Sequence, residues 1–207
     1  MKMKVCGILA VIIVIGILGG WHFFLNPRSL SDRILTQTIE EKFEDGFGEW
    51  VADADVPEDP NNPGHFIMWN ITRVMGPAHS GEYSLKFFID GSQDDGTIWI
   101  ERKIAVKENT QAKVNVSLEF YSESESFNTI ADVCTYVGTR NPEVEEDLSV
   151  LGSANEVAGW KNYTYTTTLN TGSNGEVWVA VGITVRWEAY MNYFIDDVEL
   201  EISDANQ

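Results

Sequence analysis

Apolar side chains recur at every second position along much of this chain, and that period commits it to β-structure. In Glu176–Trp187 the row Val177, Val179, Val181, Ile183, Val185 and Trp187 alternates with Glu176, Trp178, Ala180, Gly182, Thr184 and Arg186. In Lys113–Tyr121, Val114, Val116, Leu118 and Phe120 face one way, and Lys113, Asn115, Ser117 and Glu119 the other. Successive side chains of a strand point to opposite faces, so each segment has one face to bury and one to wet. The same character marks Gly48–Asp53, His65–Val74, Ser84–Asp90, Thr97–Val106, Thr129–Val137, Lys161–Leu169 and Tyr190–Ile202. Turn-rich stretches separate them, among them Pro57–Gly64, Gly76-Pro77, Asp95-Gly96 and Gly172–Gly175. Nine such segments predict an all-β chain folded as an antiparallel two-sheet sandwich. The longest connection, Gly138–Gly159, is acidic at its centre.

A different pattern precedes the strands. Val5–Leu25 carries no charge, and a hydrocarbon core of about 30 Å is spanned by roughly 20 apolar helical residues. Lys2 and Lys4 before it, and Trp21, Phe23 and Phe24 at its far end, predict a cytoplasmic N-terminus and an extracytoplasmic remainder. A cleaved signal peptide competes with this signal-anchor. Gly19-Gly20 is followed by bulky Trp21 and His22, a poor cleavage site. The predicted organisation is a membrane helix over 1–26, a stalk or short helix over 27–42, and one β-domain over 43–207. The expected location is the cell membrane, crossed once.

Of 46 charged side chains 32 are acidic, giving a formal net charge of −18. That surface repels phosphate backbones and excludes nucleic acid as a partner class. Cys6 lies in the apolar run and Cys134 in a strand-like segment, so the domain has no internal disulfide; Cys134 reads as a small buried hydrophobe. Asn70-Ile-Thr72, Asn115-Val-Ser117 and Asn162-Tyr-Thr164 match the N-glycosylation pattern, as an exported glycoprotein would.

Four short motifs occur in order: Phe43-Glu44-Asp45-Gly46 with Trp50, Ser80-Gly81-Glu82-Tyr83-Ser84-Leu85, Gly159-Trp160-Lys161-Asn162-Tyr163, and Tyr193 to Leu200 (YFIDDVEL). Together they resemble the jelly-roll carbohydrate-binding modules of the galactose-binding-like β-sandwich superfamily, over residues 43–202. The resemblance implies a structural calcium held between the first and last strands, with Glu44 as its acidic ligand and carbonyls near Gly46 and in Ser80–Lys86. Asp196 offers a second reason to expect the ion. It sits two residues before Val198 on what alternation makes the apolar face, where a carboxylate is costly unless paired or coordinating. The competing reading has Asp196 end the buried strand and accept local amide hydrogen bonds without metal.

Sugars present flat C–H faces to aromatic rings, so a binding sheet wants Trp or Tyr among small and polar neighbours. Trp178, beside Ala180 and Gly182 with Arg186 further along, fits; Trp99 and the ambiguous Trp69 are the other candidates. Either Trp178 or Trp99 could instead be packed under a loop such as Gly138–Gly159. Trp50 and Trp160, at strand beginnings, read as core. No nucleophile–base set or zinc spacing is present, so catalysis is not expected. The expected function is a membrane-anchored, extracytoplasmic, non-catalytic carbohydrate-binding module. Its rival is an adhesive cell-surface protein using the same sandwich to hold a protein partner.

Overall fold

A computed structural model describes residues 37–187, 190 and 192–205. The predicted membrane helix and most of the stalk lie outside the described residues. Within them, no helix is long and apolar enough to cross a membrane.

Among the described residues eleven strands form: β1 (Gln37–Glu41), β2 (Val51–Asp55), β3 (Trp69–Met75), β4 (Tyr83–Ile89), β5 (Thr97–Ala105), β6 (Gln111–Ser122), β7 (Ala131–Gly138), β8 (Ser149–Ser153), β9 (Gly159–Asn170), β10 (Glu176–Val185) and β11 (Asn192–Asp204). All pairings are antiparallel. Sheet A runs β3-β4-β11-β6-β9, with β1 also paired to β11; sheet B runs β2-β5-β10-β7-β8. This is the two-sheet sandwich that the alternation requires. Two strands lie outside the nine predicted segments. Gln37–Glu41, within the predicted stalk, pairs with the end of β11 (Ile39 opposite Leu200), and Ser149–Ser153 pairs with β7.

The two-residue period sorts the rows. From sheet B, Val177, Val179, Val181 and Ile183 of β10 and Ile98, Ile100 and Ile104 of β5 point inward. From sheet A they meet Val114, Val116, Leu118 and Phe120 of β6, Leu85 and Phe87 of β4, and Ile195, Val198 and Leu200 of β11. Burying each such side chain contributes about 1.5–3 kcal/mol, which makes this layer the main source of stability. Trp50 is in it, as expected.

Parity breaks once in β11. The register with β6 shifts between Asp196 and Glu199, and Asp197 takes a left-handed φ of 43°. A bulge inserts residues without pairing and swaps the faces of the residues beyond it. Asp196 therefore lies opposite Glu119 on the outer row, and the expectation that it points into the apolar layer is corrected.

The wet face expected for sheet B is also corrected, because residues 139–148 lie across it. This strap bonds to β2 through the Glu145 amide on Asp55 Oδ2 (2.9 Å) and to β5 through Thr97 Oγ1 on Glu145 Oε2 (2.7 Å). Arg186 Nη1 meets Glu145 Oε1 at 2.6 Å. Beneath it Trp99, Cys134, Ala180 and Gly182 are buried. A Cβ at Gly182 would overlap the Ile98 carbonyl oxygen and come within 2.7 Å of Trp99 Cα. Gly182→Ala is expected to destabilise the fold by about 3 kcal/mol, read from chemical denaturation, because the overlap is with backbone.

Candidate aromatic surface of sheet A

The four side chains that the sequence nominated for sugar do not converge. Trp99 is fully buried under the strap, its indole Nε1 donating to Glu101 Oε2 at 2.8 Å. Burial pushes the Glu101 carboxyl up, against the lowering hydrogen bonds from Trp99 and Asn141. Arg186 is held by Asp132 (3.0 Å) and Glu145. Burial acts to raise Glu145, but hydrogen bonds from Thr97 and Arg186 outweigh it, and its pKa is lowered overall. Trp69 is half-buried against the core from β3. Trp178 alone stays half-exposed on sheet B's outer row, opposite Lys103 and Gly138, with Lys103 Nζ 5.8 Å from its ring centre.

Sheet A carries an aromatic surface that sequence reasoning does not reach. Phe194 of β11 lies directly opposite Tyr121 of β6, which lies directly opposite Trp160 of β9. Ring centres are 5.7 Å apart for Phe194–Tyr121 and 5.3 Å for Tyr121–Trp160. His79 joins from the β3–β4 loop, edge-on to Trp160 at 5.4 Å. Phe194 is the buried end; Tyr121 and Trp160 are half-exposed and His79 is exposed. Trp160, expected in the core, is instead on the outer row because it shares parity with Asn162 and Thr164. Only register could have revealed this ladder, since its members are far apart in sequence.

Around the rings the outer row is polar: Asn115 and Ser117 on β6, and Asn162, Thr164 and Thr166 on β9. Asn162 Nδ2 donates to Glu119 Oε1 (3.0 Å), and Thr166 Oγ1 to Asn115 Oδ1 (2.8 Å). All three glycosylation patterns fall on this face, at Asn70, Asn115 and Asn162. The pattern's spacing of two equals the strand period, so Asn-x-Ser/Thr is also how a polar outer row reads.

Two carboxylates anchor the loop that delivers His79. Asp196, fully buried, accepts from the amides of His79 (2.8 Å) and Ser80 (3.1 Å) on Oδ2 and of Asp197 (2.8 Å) on Oδ1. Burial raises its pKa against those amides. Glu44 Oε1 accepts from Glu82 (2.9 Å) and Tyr83 (3.0 Å) amides. Gly81, just before them, has φ 67°, and a Cβ there would collide with the Glu44 carboxylate. Asp197 takes His79 Nδ1 at 2.6 Å on Oδ2 and Ser80 Oγ at 2.6 Å on Oδ1. That hydrogen bond, opposed by partial burial and aided by Glu119, Asp197 and Asp196, raises the His79 pKa.

The residues nominated for calcium do not fit the ion as arranged. Both oxygens of Asp196 and Oε1 of Glu44 are presented to five backbone amide hydrogens, whereas calcium wants six to eight oxygen ligands turned toward it. Among the described residues no three His, Cys, Asp or Glu side chains gather to hold a metal. The carbonyls beside Gly46 have another cation: Arg73 Nε donates to Phe43 O at 2.6 Å and its Nη2 to Glu44 O, with the guanidinium stacked 3.3 Å over Tyr83. Phe43 there has a left-handed φ of 55°, a conformation that needs holding.

This loop yields two expected outcomes. Chelator is expected to leave the melting midpoint unchanged, whereas Arg73→Ala lowers stability by about 2 kcal/mol through lost charge-assisted hydrogen bonds; a chelator-sensitive melt would restore the ion. For His79, a folded pKa above the ordinary value of 6.5 stabilises fully below that pH and fades as pH rises through the folded value. The melting midpoint of the wild type is expected to fall across that window relative to His79→Gln.

No family model and no curated protein matches this chain. Solved structures with which it shares a likeness include the CBM22-1 xylan-binding domain of Paenibacillus barcinonensis Xyn10C (14% identity, 83% of this chain, 98% of that one, TM-score 0.49). TmCBM61 in complex with β-1,4-galactotriose is similar at 17% identity, over 79% and 94%, with TM-score 0.47. TmCBM27, studied for mannan recognition, is similar at 9%, over 82% and 99%, also at 0.47. All three of those proteins are carbohydrate-binding modules.

Proposed function

We propose that this protein is a membrane-anchored, extracytoplasmic domain that binds carbohydrate without chemically altering it. The observation that carries the reading is the Phe194–Tyr121–Trp160 ladder, set in cross-strand register on a polar sheet face whose Tyr121 and Trp160 are half-exposed among the described residues. Half-exposed rings offer apolar faces to sugar C–H groups, and Asn162, Glu119 and Ser117 offer hydrogen bonds to hydroxyls. The membrane tether rests on the Val5–Leu25 run.

The arrangement of His79 supports a non-catalytic role. In a nucleophilic triad the serine and the carboxylate bind opposite nitrogens of the histidine. Here Ser80 and His79 both bind the Asp197 carboxylate, so Ser80 is not on the base. Cys134 is fully buried in apolar surroundings that push its thiol up and keep it protonated.

A protein-binding reading has its own support at one end of the sandwich. The loops after β2, β6 and β10 lie at that end and expose Phe66 (68%), Phe127 (109%) and Trp187 (57%). Such apolar tips suit a protein partner.

Glycan-array binding by the full chain in detergent separates the two. Trp160→Ala is expected to weaken binding by about thirtyfold or more, the loss of a central aromatic anchor, while Trp187→Ala leaves it intact. A wild-type chain that binds no glycan defeats the carbohydrate reading. Loss on Trp178→Ala instead of Trp160→Ala would move the site to sheet B.

A further inference from the structure

The edges of the two sheets are unequally guarded. An edge strand exposes unpaired N–H and C=O groups, and natural proteins blunt it with shortness, charge, proline or bulges. In sheet B, β2 carries Asp53 and Asp55, and β8 is five residues long opposite an irregular register. In sheet A, β3 has seven residues and carries Arg73. β1, paired to β11 alone, is five residues long and carries Glu40 and Glu41. The remaining edge among the described strands, β9, is twelve residues long and paired there to β6 alone. From Asn162 to Asn170 (NYTYTTTLN) it has no charge, no proline and no glycine.

The flank of that edge is unfinished as well. On the inward row of β9, Tyr163 is buried but Tyr165, Thr167 and Leu169 are only half-buried. Across the rim β8, only five residues long, meets this row at Tyr163, whose hydroxyl donates to Ser153 O at 2.6 Å. The outward row, Thr164, Thr166 and Thr168, is exposed throughout. Threonine and tyrosine favour a pleated, half-buried surface, which is what an added strand would provide.

We propose that β9 is where two copies of this chain join, edge to edge and antiparallel, making sheet A continuous across a twofold axis. Charge selects the occupant. Each copy carries a net −18, so two copies repel wherever acidic side chains face each other. The nine-residue uncharged run removes that repulsion at this edge. A basic partner would find no opposite charge on it, whereas a second β9 paired about Thr166 sets Thr164 against Thr168, Tyr163 against Leu169 and Tyr165 against Thr167, an uncharged self-complementary match of the kind a twofold interface requires. Pairing the run forms on the order of nine main-chain hydrogen bonds and covers Tyr165 and Leu169. Both Trp160 ladders then lie on the same face of the joined sheet. The interface stands whatever ligand that face takes.

The test is the mass of the full chain in detergent by sedimentation equilibrium. The wild type is expected to be a dimer. Thr164→Lys/Thr166→Lys and Thr164→Glu/Thr166→Glu place like charges across the axis, and each double variant should raise the dissociation constant at least about tenfold. Mixing the two doubles should restore a dimer. Matching thermal melts keep misfolding out of the comparison. A monomeric wild type, a dimer indifferent to both doubles, or a mixture that stays monomeric overturns the proposal.

Discussion

The irregularity at Asp196–Glu199 in β11 is the constraint on which the rest of sheet A depends. Before it, Asn192–Ile195 pairs with β4; after it, Val198–Ile202 pairs with β1; β6 runs along the other side throughout. One thirteen-residue strand thus serves three neighbours because it changes register partway. Tyr193 and Ile195 face the core before the bulge, and Val198, Leu200 and Ile202 after it. The one extra residue turns Asp196 and Asp197 toward the β3–β4 loop, which they grip by amides, hydroxyl and imidazole. His79 reaches Trp160 because that loop is gripped.

Electrostatics elsewhere obey the same logic of fastening loops to sheets. The described residues contain four arginines, and each is engaged: Arg73 by carbonyls of the turn after β1, Arg102 by Glu49 (2.5 Å), Arg140 by Asp147, and Arg186 by Asp132 and Glu145. Isolated exposed pairs contribute little to stability. Arg73, part-buried on β3, and Arg186, exposed just after β10, differ in joining several acceptors at once, a task for which a planar guanidinium outperforms an ammonium. In so acidic a chain these few cations decide where the connections lie, while the apolar layer supplies the energy.

Local period made most of the fold legible. Rows such as Val177–Val185 and Val114–Phe120 could be assigned faces from their own letters, and Trp50 could be assigned to the core. Relations between distant segments were hidden. β1 has one apolar residue, Ile39, and reads as polar linker until β11 is beside it. Asp196 looked inward because alternation cannot announce an inserted residue. Trp99 looked outward correctly, yet a strap from another part of the chain lies over it, and no pattern near residue 99 records that. The Trp160–Tyr121–Phe194 ladder exists only through register, a property of paired strands.

Chain order has a consequence for how the molecule is assembled. β10 and β11 come last among the described strands, yet they occupy the middle of sheets B and A. Until both exist, sheet A consists of a β3–β4 hairpin and a separate β6–β9 pair, and sheet B of β2–β5 and β7–β8 halves. Each half exposes an apolar row with nothing to pack upon. Closing such distant pairings is slow because their loop entropy must be met first. A nascent chain therefore stays in unjoined halves until β10 and β11 have emerged, and holding those halves apart from their neighbours falls to whatever chaperones meet it outside the ribosome.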